Sequence, residues 1–396
     1  MKQLSTLLFL LLALATRGQQ GTFEAIVVDA RNGQPLPFAS IYINKVSSTI
    51  SNAEGRFFIN ADSADVLNIS YVGYKPQRVR AARLGGRVGL EAMEMGLQEI
   101  TVNPIGPIIR KTTKETLRQL QKFKKKTSSF FYRQIAFADT TCYEFAEAFL
   151  TGRSAAWLRD LELITGRFAG IQGDSVNHFY FYGNFYTFSE IEVASKSREL
   201  PGFVDVLPLS RNYLHYYDVD YEVIRDSNEN RLFAIHFTPK PEIRQSILDV
   251  TLYIDEQTCC LRKMEGVGRN TRILHRELAL KDSVPVVVAG VFPTEFNFVV
   301  NMTEERGFLE VQSVFVDESH VFADKQIVTR SILFNVGDRK LGRGEEMKFY
   351  GNLHKNIRQQ GYDATFWHNN ETVLRTPVEQ QVMEIFEREN LFGVFK

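Results

Sequence analysis

The chain contains one His-x-x-Glu pattern, His368-Asn-Asn-Glu371. A zinc hydrolase built on that pattern takes a third ligand, a histidine, from farther along the chain and keeps water in the open position. No histidine follows Glu371, so that ligand set cannot be assembled in the expected order. His215 and Asp218 lie three apart in RNYLHYYDVDYEV, residues 211–223, which reads as a strand. Odd spacing on a strand sends them to opposite faces, so they make a poor dyad. His236 falls in a strand-like run and reads as structural, and His320 is expected in a loop after Glu318 and Ser319. Asp249, Asp255, Glu256 and Asp317 stand at expected strand ends or turns, where solvated carboxylates are ordinary. There is no Gly-rich phosphate loop, no Gly-x-Ser-x-Gly and no His-Glu-x-x-His. No residue is therefore assigned a catalytic, cofactor-binding or metal-binding role, no cofactor is expected, and the protein is not expected to be an enzyme.

The three cysteines, Cys142, Cys259 and Cys260, make no disulfide scaffold. A bridge from Cys142 to Cys259 or Cys260 stays open in an oxidising compartment. Inert buried thiols are the simpler reading. Aromatic residues are abundant, with 31 Phe and 15 Tyr. The candidates for a ligand groove are Phe145, Phe149, Trp157, Phe179, Phe181, Tyr216 and Trp367. Each also fits ordinary core packing, and the abundance itself favours strands.

The elements that must position these residues are mostly strands. Charge balances at 47 basic and 47 acidic residues, which argues against general nucleic-acid binding. Lys2, the apolar stretch Leu7–Ala15 and the small residues Thr16 and Gly18 read as a signal peptide over residues 1–18, too short to span a membrane. No cysteine ends the leader, so no lipid anchor is expected there. Residues 19–102 alternate short strands with turn signals: Asn32-Gly33, Asn52-Ala-Glu-Gly55 and Gly73. Phe38, Phe57, Ile69 and Tyr71 are the expected core of a small β-sandwich.

The runs Pro-Leu-Pro-Phe-Ala-Ser (35–40), Ser-Asn-Ala-Glu-Gly-Arg-Phe (51–57) and Ile-Ser-Tyr-Val-Gly-Tyr (69–74) resemble the carboxypeptidase regulatory-like domain of Bacteroidetes envelope proteins. Leu97-Gln-Glu-Ile-Thr-Val102 is similar to the segment that closes that domain. The resemblance implies a transthyretin-like, seven-stranded β-sandwich and a place in the periplasm or at the outer membrane of a Gram-negative cell. It implies no reaction, because the domain is a non-catalytic appendage.

Residues 103–127 read as a linker, Pro104–Pro107, and a basic helix from Thr112 to Lys126 with Leu117, Leu120 and Phe123 as its apolar stripe. Its basic face, Lys111–Lys126, could meet a membrane surface. Residues 128–396 read as a larger curved antiparallel sheet, closed by a helix over 377–389. Thr376, Pro377 and Glu379 mark its start, and Asn390 its end. The run 122–134, the Tyr253–Glu256 hairpin and Phe366-Trp367 are similar to sheet modules that follow this sandwich. They resemble the curved-sheet fold of periplasmic lipoprotein-handling proteins. That resemblance implies an apolar groove for lipid, expected beneath the C-terminal helix.

The reading is mainly β: a sandwich plus a curved sheet with a few helices. The expected function is that of a non-enzymatic envelope scaffold or binding protein, whose partner is a protein, glycan or lipid and not nucleic acid. The alternatives are a lipid or lipoprotein carrier using the concave sheet and, third, a hydrolase of envelope polymers.

Overall fold

The computed structural model describes residues 20–43, 48–95, 105–121, 127–154, 156–170, 191, 193–194, 207–225, 231–244, 247–270, 273–279, 285–291, 294–305, 308–322, 325–337, 347–348, 353, 356–357 and 361–392. The chain divides into two compact units, Met1–Ala92 with Glu371–Thr376, and Met93–Asn370 with Pro377–Lys396.

The first unit holds seven strands: β1 (Gln20–Asp29), β2 (Ser40–Tyr42), β3 (Ser48–Ile50), β4 (Arg56–Asp62), β5 (Val66–Ser70), β6 (Gln77–Arg80) and β7 (Arg87–Leu90). They form two sheets, ordered β4-β1-β7 and β3-β2-β5-β6. Alternating inward residues, among them Val27, Ile41, Phe57, Leu67, Ile69 and Leu90, fill the core between them. The turns are held by side chains. Asn52 Oδ1 accepts from the backbone N–H groups of Glu54 and Arg56. Gly55 has φ +74°, and a Cβ there would lie 2.7 Å from the Val27 carbonyl oxygen, so both dihedral and space demand glycine. Asp29 accepts from the N–H groups of Arg31 and Asn32 and from the Tyr74 hydroxyl at 2.9 Å. These donors, Arg31 first, hold the Asp29 carboxyl below its ordinary pKa. Burial and the bond to Asp29 push Tyr74 up to about 12. Thr49 Oγ1 donates to the Thr372 carbonyl at 3.0 Å, which ties the excursion Glu371–Thr376 into this unit.

The second unit is built on β8 (Glu94–Met95), β9 (Thr127–Ala138), β10 (Thr141–Ser154), β11 (Leu158–Gly170), β12 (Tyr217–Arg225), β13 (Arg231–Pro239), β14 (Ile247–Asp255) and β15 (Leu261–Asn270). A separate hairpin, β16 (Ile273–Ala279) and β17 (Pro285–Val291), precedes β18 (Thr294–Glu305), β19 (Phe308–Phe322), β20 (Lys325–Gly337) and β21 (Met347–Lys348). Twelve of these strands make one antiparallel sheet, ordered β21-β11-β10-β9-β20-β19-β18-β15-β14-β13-β12-β8. Most neighbours are consecutive in the chain. The β9–β20 pair, in register from Ala138↔Ile327 to Phe130↔Asn335 and shifted by one residue at Ser129↔Gly337, joins two meanders into one sheet. Register shifts in the β9–β10, β10–β11, β14–β15 and β18–β19 pairs supply bulges that bend this curved sheet.

The helices are α1 (Ile105–Gln119), α2 (Tyr213–Tyr216), α3 (Ala364–Asn369) and α4 (Pro377–Arg388). Three local expectations are corrected. The basic helix starts at Ile105 rather than Thr112, with Pro107 in the first turn, where its missing N–H costs nothing. His215 sits on the short α2, not on a strand, and β12 begins only at Tyr217. His320 is inside β19, because β19 runs past Val316 to pair with β20 as far as Phe322↔Lys325. The C-terminal helix starts at Pro377 as expected. Asn390 has φ +52°; Leu391 N–H bonds the Phe386 carbonyl and Asn390 N–H that of Glu387, a Schellman ending.

Candidate functional site

The two faces of the large sheet differ in chemistry. On one face alternate residues form a continuous apolar layer that takes in Phe130, Ala148, Ile235, Leu252, Phe298 and Val314, all buried. It is closely fitted. A Cβ on Gly268 would lie 1.9 Å from the ring of its cross-strand neighbour Phe296, so that ring rests on bare backbone. A Cβ on Gly166 would lie 2.4 Å from Ile357. Helix α1 lies on this layer through Ile105 and Ile109. Its Lys111, Lys114 and Arg118 are exposed, and Arg118 pairs with Glu115.

Polar groups interrupt the apolar layer at a few points. The Tyr132 hydroxyl donates to Gln134 Oε1 at 2.5 Å, and Gln134 Nε2 donates to Glu144 Oε1. All three side chains are buried. Gln119 Oε1, on α1, accepts from Leu309 N–H at 3.3 Å. An apolar surface with a few fixed polar groups is the usual make-up of a small-molecule site.

The opposite face carries a buried charge cluster under α3 and α4. Arg133, Glu147 and Arg167 are register partners across β9, β10 and β11. Their side chains are only 2%, 1% and 2% exposed. Glu147 accepts from Arg133 Nε at 2.6 Å and from Arg167 Nε at 2.8 Å and Nη2. One carboxylate thus serves two guanidiniums. The remaining positive charge faces α4, where Glu379 lies 3.5 Å from Arg133 and Glu387 3.6 Å from Arg167. Glu379, the buried Met383 and Glu387 recur every fourth residue and share one helix face. Arg167 also lies over the rings of Trp367 and Phe392, at 4.8 and 5.2 Å.

The aromatic candidates separate accordingly. Phe145, Phe149 and Trp367 come together on the charged face: Phe149 stacks on Trp367 at 5.6 Å, and Phe145 meets Phe392 edge-on. Trp157 lies in the apolar layer on the other side, and Tyr216 packs against that layer's border. Phe179 and Phe181 fall outside the described residues. The apolar layer therefore lies under α1, while the C-terminal helix, expected to roof it, covers the charged face. Sequence reading missed Arg133, Glu147 and Arg167. The available signal was a charge inside an aromatic strand, as in FFYRQIAF.

Other reactive groups are placed conventionally. His236 bonds Asp249 at 2.7 Å on the half-exposed outer side of β13 and β14. The three cysteines are free thiols, and burial raises the pKa of each, Cys142 to about 12, which favours the protonated form. Among the described residues no three His, Cys, Asp or Glu side chains are grouped to hold a metal.

With this geometry in view, residues 26–102 match the family model of the CarboxypepD_reg-like domain. The first unit carries that domain. In this chain the matched segment takes in most of the seven strands, and Gly55 and the Asp29 turn shape its loops. Over the chain as a whole, similarity to solved structures is slight. A DUF1329 family protein from Desulfovibrio piger is 10% identical with a TM-score of 0.22, covering 61% of this chain and 96% of its own. A LolA superfamily protein from Nitrosomonas europaea is 11% identical with a TM-score of 0.20 and the same two coverages. No curated protein matches the chain.

Proposed function

We propose that this is a non-enzymatic binding protein of the cell envelope, exported by its leader, whose ligand is a lipid or the acyl part of a lipoprotein. The observation that supports this reading is the apolar face of the large sheet, roofed by α1 and furnished with a few buried polar groups.

A second reading, a scaffold that binds another envelope protein, draws on the sandwich. Among the described residues β3, β4, β6 and β7 end its two sheets, and terminal strands can accept a strand from a partner. Cross-linking in intact cells, then capture and identification of protein and lipid together, separates the two. Stoichiometric lipid supports the carrier. One recurrent outer-membrane protein without lipid supports the scaffold.

A further inference from the structure

Helix α1 has an arrangement that a helix packed on hydrocarbon should lack. Its buried residues are Ile105, Ile109, Thr112, Thr116 and Gln119, at alternating spacings of four and three, so they share one face. Ile105 and Ile109 belong to the apolar layer, which fixes where that face points. Toward its middle stand two threonines, 0% and 3% exposed. Among the described residues, neither Thr112 Oγ1 nor Thr116 Oγ1 has a hydrogen-bond partner. The neighbouring Thr113 shows the usual recourse: its hydroxyl donates to the Ile109 carbonyl at 2.7 Å. Gln119 is likewise satisfied, by Glu115 and by Leu309 N–H. Buried polar groups in folded proteins nearly always have a partner, and an orphan needs an explanation.

We infer that Thr112 and Thr116 hold the polar group of the ligand on the apolar face. The two hydroxyls are four residues apart, about 6 Å along the helix. They present a short row of donors above hydrocarbon, which suits a carbonyl acceptor at the head of an acyl chain: an ester or amide of a lipid. This rests on the lipid reading above and adds the ligand's orientation, with the carbonyl end at α1 and the chains on the sheet.

Thr112→Val with Thr116→Val keeps the shape and removes both hydroxyls, and Thr112→Ser with Thr116→Ser keeps the hydroxyls. Lipid-stripped full-length protein is titrated with two fluorescent probes, an NBD-labelled phosphatidylethanolamine and a pyrene-labelled alkane that has no carbonyl. The valine pair is expected to bind the phospholipid at least about tenfold more weakly, each neutral hydrogen bond contributing roughly three- to tenfold. The serine pair should bind it like the wild type, and all forms should bind the alkane alike. Without ligand the valine pair should melt higher, because two unsatisfied groups are gone. Equal phospholipid binding by wild type and valine pair overturns the inference, the hydroxyls then holding only water, and leaves the lipid reading standing. No binding of either probe by the wild type removes the lipid reading itself. If the valine pair does not fold, Thr116→Val alone decides, and undiminished phospholipid binding by it also overturns the inference.

Discussion

Glu147 is the residue on which the second unit's charged face turns. Its carboxylate accepts from both Arg133 and Arg167, and all three side chains are buried. Replacing a buried ion-paired network by apolar groups can be neutral, but removing Glu147 alone leaves two buried guanidiniums with only the more distant and more exposed Glu379 and Glu387 to offset them. Glu147→Leu, with both arginines kept, is therefore expected to destabilise the protein by about 3–5 kcal/mol, read by urea denaturation. Asp29 makes a prediction about pH. Its folded pKa is lowered, chiefly by the Arg31 N–H and then by Tyr74. Its contribution is thus fully present above the ordinary carboxylate range and is lost as pH falls through the lowered value. Tyr74→Phe removes one donor, so the Asp29 carboxyl should titrate at a higher pH and acid loss of the sandwich should begin earlier. A carbon-detected NMR titration of Asp29 measures this. An unchanged Asp29 titration would show that Tyr74 does not hold it.

At the scale of elements, glycines decide how closely the apolar face packs. Gly268→Ala would place a methyl within the Phe296 ring. Overpacking of this kind costs typically about 1–3 kcal/mol. Gly268→Ala should lower the melting temperature, and adding Phe296→Leu should recover part of the loss. Much at this scale was readable in sequence. The turn residues Gly33, Gly55 and Gly73 all take positive φ, and Pro377 and Asn390 bound α4. Such signals are local: one residue type and one dihedral. The start of α1 was misread because Pro107 looks like a linker residue, yet the first turn of a helix tolerates it. The charge cluster was illegible for another reason. Glu147 is 14 residues from Arg133 and 20 from Arg167, and only the pairing of three strands brings them together. Hydrophobic periodicity passes over such residues, since it assigns a charge on a strand to solvent.

For the whole molecule, the sandwich and the curved sheet were legible as fold classes, because alternation and turn spacing repeat over many strands. Which face of the sheet a helix covers was not. Both α1 and α4 are amphipathic, and nothing local tells one partner from another. The expected groove beneath the C-terminal helix thus gives way to an apolar face beneath α1. The proposed role of this face is to hold lipid. Native mass spectrometry of the full chain, purified without denaturant from the envelope of an expressing cell, tests it most directly. A species heavier than the polypeptide by the mass of one lipid is expected, and collisional activation should release it as a neutral or anionic lipid. Polypeptide mass alone, from protein that still melts cooperatively and has seen no detergent, would contradict it.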